Sequence, residues 1–196
     1  MNTPFFPSSR RVAGLLLLAG ALAGAGASAQ TASPRVKLAT SEGDIVLELN
    51  ASKAPKTVDN FLQYVRDKHY DGTVFHRVID GFMIQGGGFG PTLREKPARA
   101  PIAFETTGLK NDRGTIAMAR TSNPNSATAQ FFINVKDNAM LNPPNPDGYG
   151  YVVFGKVVSG MDVVDKIRTV ATDSRGPHQN VPVQPVTINA ATVVAP

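Results

Sequence analysis

The 196-residue chain contains no cysteine and no tryptophan, and only three histidines. Without cysteine there is neither a disulfide framework nor a thiol nucleophile, so the fold rests on a packed core. The histidines, His69, His76 and His178, are scattered and lack the spacing of a zinc site, and no metal or other cofactor is expected. The formal net charge is +5, but no lysine or arginine run forms a basic face, so nucleic acid is not an expected partner. No serine or threonine carries an activated-nucleophile signature, which argues against a hydrolase. The glycine run Gly86-Gly87-Gly88 with Gly90 has neither a following Lys-Ser/Thr nor a helical pattern after it, which argues against phosphate binding; close backbone approach in a turn explains it better.

Long apolar runs are missing too, except at the N-terminus. There Arg10 and Arg11 precede "VAGLLLLAGALAGAGA", and Ala27-Ser28-Ala29 gives a small-x-small cleavage pattern before Gln30. This reads as an export signal over residues 1–29, leaving one domain over residues 30–196. A membrane anchor fits less well, because the run is Gly- and Ala-rich, barely long enough to span, and ends in a processing site. The paired arginines suggest the twin-arginine route, but the apolar continuation that usually follows is poor, and the general secretory route fits better. The expected location is periplasmic, with no stable membrane association after cleavage and a monomeric state.

Alternation dominates the rest. "RVKLAT" and "DIVLELN" read as a hairpin about Ser41-Glu42-Gly43, and "TVFHRVI" and "GFMIQG" as strands joined at Asp80-Gly81. "GTIAMAR", "AQFFINV", "YVVFGKVV" and "VTINAATVV" supply four more strands. Val58, Phe61, Leu62 and Val65 recur at helical spacing between Pro55 and Asp67, and a second short helix is expected over Met161 to Arg168. Residues 88–104 read as a long surface loop. Many strands and two helices imply a mainly β fold, a closed or nearly closed antiparallel barrel, because closure removes exposed sheet edges.

"APKTVDNF", "YDGTVFHRVIDGFMIQGG", "GTIAMAR", "AQFFINV" and "YVVFGKVVSGMDVVDKI", in that order, resemble the cyclophilin-type peptidyl-prolyl cis/trans isomerases, specifically exported bacterial members. The resemblance runs from about Val36 to Ile188. It implies a closed eight-stranded antiparallel barrel capped by two α-helices, with a shallow outer groove that binds proline-containing segments of unfolded or flexible polypeptides. It also implies that Arg77 is the catalytic residue and that Phe82, Met83, Phe132 and Leu141 line an apolar proline pocket. Gln85 matches the position that hydrogen-bonds the substrate backbone, and Gln130 a polar position on the groove wall. Ala119 and Arg120 should run beside the bound peptide through their backbone. Met140 stands where cyclosporin-sensitive relatives carry tryptophan, which implies weak inhibition by that drug, and Tyr151 stands where many carry histidine. Asp80 replaces a common proline, which should loosen the approach to Phe82; Arg120 replaces Asn, a change expected to matter little.

His76 adjoins Arg77, so strand alternation should turn it the other way, into or across the barrel and away from catalysis. Phe131 and Phe132 should likewise divide, one filling the barrel and the other facing the groove. A proline-binding module without isomerase activity is the competing reading; it would have no need to keep the donor at Arg77.

Overall fold

The computed structural model describes Met1 and residues 33–195. The expected signal segment and its cleavage site lie outside the described residues, apart from Met1.

The first hairpin forms as the alternation dictates. β1 (Arg35–Thr40) and β2 (Gly43–Leu49) pair from Arg35–Glu48 to Thr40–Gly43, and Val36, Leu38, Ile45, Leu47 and Leu49 all point into the core. The tight turn is closed by Thr40 Oγ1, which donates to Gly43 O at 2.6 Å and accepts from Glu42 N at 3.1 Å.

Helix α1 (Pro55–Arg66) begins with proline at its first turn, and its apolar stripe buries Val58, Phe61, Leu62 and Val65. Ala54, at the N-cap position, offers no side-chain cap. The orphan amide donors of the first turn are met from far along the chain: the Glu105 carboxylate accepts from Lys56 N (3.0 Å), Thr57 N (2.8 Å) and Thr57 Oγ1 (2.7 Å).

The remaining strands are β3 (Thr73–Ile79), β4 (Met83–Gly86), β5 (Thr115–Met118), β6 (Phe131–Asn134), β7 (Val153–Ser159), β8 (Thr172–Arg175), β9 (His178–Pro182) and β10 (Thr187–Val194), with helix α2 (Met161–Arg168) after β7. Eight of the ten strands close an antiparallel barrel in the order β1-β10-β3-β4-β6-β5-β7-β2. Its interior is a continuous apolar cluster, in which Phe61 meets the rings of Tyr70, Phe131 and Phe154 at 5.1 to 5.7 Å. Helix α2 adds Val164 and Ile167 to it.

The hairpin β8–β9 stands apart as a two-stranded sheet. Sequence reading passes over it because all four residues of β8 are exposed and polar, so no apolar period marks it. The long loop after β4 follows expectation, with single bridges at Phe89–Glu95 and Ile102–Ala127. Lys96 Nζ ties it down by donating to the carbonyls of His69 (2.5 Å) and Asp71 (3.1 Å). Among the described residues, no helix is long and apolar enough to cross a membrane.

Candidate functional site

Period-two alternation gives the barrel an outer face as well as an inner one. Arg77 pairs with Gln85 across β3 and β4, Gln85 with Phe132 across β4 and β6, Phe132 with Ala117 across β6 and β5, and Ala117 with Val153 across β5 and β7. This row of five residues crosses five strands. At its middle lies a second buried apolar cluster of Met83, Ala117, Phe132, Leu141 and Val153, onto which the half-buried Phe82, Leu109, Ala119 and Tyr151 pack. Phe131 fills the barrel while Phe132 joins this outer cluster, as their adjacency requires.

Above the cluster opens a groove of about 140 Å³, lined by Arg77, Phe82, Met83, Gln85, Ala119, Arg120, Phe132, Leu141 and Tyr151. Two expected members do not line it. Met140 lies on the 3₁₀ turn Ala139–Leu141 and is 60% exposed, while its neighbour Leu141 turns in. Gln130 sits one step behind the wall, where its Oε1 accepts from Gln85 Nε2 at 3.1 Å.

That contact orients the polar side of the groove. Arginine only donates, so Gln85 turns its oxygen to Arg77 and its nitrogen to Gln130. The Arg77 Nη1 to Gln85 Oε1 contact is long, 3.4 Å, and it is the only side-chain hydrogen bond of Arg77 among the described residues. The remaining guanidinium donors therefore face the groove without a protein acceptor. The glycines behind Gln85 serve close approach, as expected. A Cβ on Gly88 would lie 2.5 Å from the Gln130 side chain, and one on Gly87, whose φ is +85°, would lie 2.9 Å from the Phe131 and Tyr70 rings.

His76 departs from expectation. The β3–β4 register shifts between Phe75 and Arg77, so His76 falls in a bulge where neighbours no longer alternate. Phe75 and Val78 fill the barrel, whereas the His76 ring packs on Phe89 at 4.6 Å, and Phe89 in turn meets His178 at 5.2 Å. Burial, reinforced by the nearby charges of His178 and Arg77, lowers the His76 pKa to about 4. It is neutral at neutral pH and lines no part of the groove.

Asp80 and Arg120 both make side-chain contacts within the fold. Asp80 pairs with Arg168 and so links the β3–β4 turn to α2. The Arg120 side chain is only 3% exposed: it donates to Gly150 O at 2.7 and 3.0 Å and to Asp147 at 2.8 Å, and its guanidinium lies 4.6 Å over the Tyr151 ring. Arg120 thus shapes the groove wall through its side chain as well as its backbone.

Sequence reasoning also missed three buried asparagines. Asn138 Nδ2 donates to Phe82 O and to Asn134 Oδ1, both at 2.8 Å. Asn134 Nδ2 donates to Asn111 Oδ1 at 3.2 Å, and Asn111 Nδ2 donates to Leu141 O at 3.2 Å. This network fixes the backbone under Phe82 and Leu141 from inside. Buried asparagine is uncommon, but its only trace in sequence is Asn134 at the end of an apolar strand and Asn111 and Asn138 in polar loops.

Comparison with known proteins agrees with this geometry. The profile of the cyclophilin type peptidyl-prolyl cis-trans isomerase/CLD family matches residues 35–193. A peptidyl-prolyl cis-trans isomerase of Streptomyces antibioticus is 62% identical over 162 residues, covering 81% of this chain and 98% of that protein. Peptidyl-prolyl cis-trans isomerase B of Escherichia coli is 57% identical over 157 residues, covering 79% and 96%. A cyclophilin type isomerase from Cryptosporidium parvum, determined in the presence of the dipeptide Ala-Pro, superposes with a TM-score of 0.72 at 30% identity, covering 83% of this chain and 99% of that one. Fold and groove together define a barrel-type peptidyl-prolyl cis-trans isomerase. The chain belongs to the cyclophilin-type family of these enzymes.

Proposed function

We propose that the groove seats the proline of an Xaa-Pro segment on Phe132, Met83 and Leu141, and that Arg77 accelerates rotation of the preceding peptide bond. The barrier is about 18–20 kcal/mol because the nitrogen lone pair is delocalised into the carbonyl. Twisting breaks that conjugation, and the lone pair of the now pyramidal nitrogen can accept a hydrogen bond. A fixed donor meets the twisted amide and finds little to bind in the planar one, which is the differential binding that raises a rate. A thousandfold acceleration asks for about 4 kcal/mol, within reach of one or two aimed hydrogen bonds plus orientation.

The observation that carries this reading is the Arg77 guanidinium, set beside the Phe132 cluster with a single long hydrogen bond and its other donors open to the groove. Gln85, held by Gln130, is placed to bind the substrate backbone. No proton need leave the enzyme, which suits a group that stays charged at any working pH. The test is proline-limited refolding of a reporter protein by the parent, Arg77→Ala and Arg77→Lys. We expect Arg77→Ala to lose about 10²- to 10³-fold in kcat/KM, the cost of one donor aimed at a transition state, with its melting temperature nearly unchanged. Equal rates from parent and variant would remove Arg77 from this role and favour a module that only binds proline segments.

The same reading places the enzyme in the periplasm as a monomer that assists folding of flexible, proline-containing chains. It is supported by the leader-like pattern before Gln30 and by a core built without cysteine. N-terminal sequencing of the protein from a periplasmic extract should begin near Gln30; recovery of the uncleaved chain in the cytosol would sink it.

A further inference from the structure

Beyond Tyr151 lies a second cavity of about 270 Å³, walled by Phe104, Leu109, Pro143, Tyr149, Tyr151 and Val152. Tyr151 lines both it and the groove, and Leu109 packs on the same apolar cluster as Phe132 and Leu141. The two hollows therefore adjoin at Tyr151. Of the polar residues around the second, three are committed elsewhere: Glu105 caps helix α1, Asn142 Oδ1 accepts from Asn111 N at 2.7 Å, and Thr107 Oγ1 accepts from Leu109 N at 3.2 Å; Thr106 and Lys110 also border the space. What remains facing the space is chiefly apolar. Its outer wall is built: Phe104 and Tyr149 pair edge to face at 5.4 Å and 78°, and Asp147 holds Tyr149 N at 3.2 Å while paired with the buried Arg120.

We propose that this cavity is a specificity subsite for a bulky apolar side chain, above all an aromatic one, flanking the proline of the bound polypeptide. The inference rests on the reading of the groove as the seat of the Xaa-Pro bond. The occupant follows from continuity and size: the second hollow adjoins the groove at Tyr151, and its space is about twice that of the proline notch. An extended chain advances about 3.3–3.6 Å per residue, so a side chain one to three positions from proline can reach it. Arg120 and Asp147 act as positioning residues, holding the loop that forms the far wall.

The experiment compares kcat/KM on Xaa-Pro peptides carrying Phe, Leu or Gly at each of the three positions before and after proline, for the parent, Phe104→Ala and Tyr149→Ala. At one position the parent should favour Phe over Gly by about tenfold, mainly through KM, as expected for one apolar pocket. Tyr149→Ala, at an already half-exposed side chain, should cut that preference to about twofold while turnover of the all-Gly peptide stays at the parent level. A parent that shows no preference at any position, or a preference that survives both variants, overturns the subsite. Failure on every peptide, the all-Gly one included, overturns the groove reading and the subsite with it.

Discussion

Phe131 and Phe132 are neighbours of one kind on one strand, yet they serve two different apolar clusters. Phe131 is 0% exposed inside the barrel, ringed by Phe61, Tyr70 and Phe75 at 5.5 to 6.2 Å. Phe132 is nearly as buried but lies under the groove, edge to face with Tyr151 at 5.6 Å. Both clusters are bordered by partly covered side chains, but only the outer one lines the groove. One strand thus gives a face to stability and a face to binding, and the two can be separated by substitution.

Breaking the inner side should have the largest effect. Phe131→Ala should destabilise the protein by about 3–5 kcal/mol, read from urea unfolding, because a closed core cannot collapse onto the lost ring. The next effect comes from acid. His76 has a depressed folded pKa, so between about 6.5 and 4 the unfolded chain takes up a proton that the folded one resists. Stability is full above that window and falls as pH drops through it, by about 3 kcal/mol at most. Urea midpoints at pH 7, 5.5 and 4 should fall more steeply for the parent than for His76→Leu; equal slopes would contradict the buried neutral ring.

Phe132→Ala should reverse the balance seen at position 131, costing less stability than Phe131→Ala but at least about tenfold in kcat/KM. A larger stability loss than Phe131→Ala, with activity kept, would erase the distinction between the clusters. The smallest expected effect is none: the isomerisation rate should stay flat between about pH 6 and 8. A step near pH 6.5 would implicate a histidine in the groove chemistry.

Most of the architecture was readable before any coordinates. The period-two pattern set the eight barrel strands within a residue or two, and helical spacing placed α1 and α2. The groove row was readable in part, since the motif resemblance pointed to Arg77, Gln85 and Phe132, which the structure aligns across adjacent strands. The side of the strand taken by His76 was misread, because a bulge inserts one residue without any change in residue type to announce it. The polar hairpin β8–β9 carried no apolar period to detect.

The order of residues alone indicates which faces are apolar and where the barrel strands and the two helices run. These are local properties, written at spacings of two to four residues. Closure of the barrel decides the rest: that Glu105 caps a helix 48 residues away, that Arg120 clamps Asp147 beneath a groove wall, and that three asparagines brace Phe82 and Leu141. Hydrogen bonds between distant polar side chains follow no repeat along the chain, so they exist as information only once the backbone has brought their partners together.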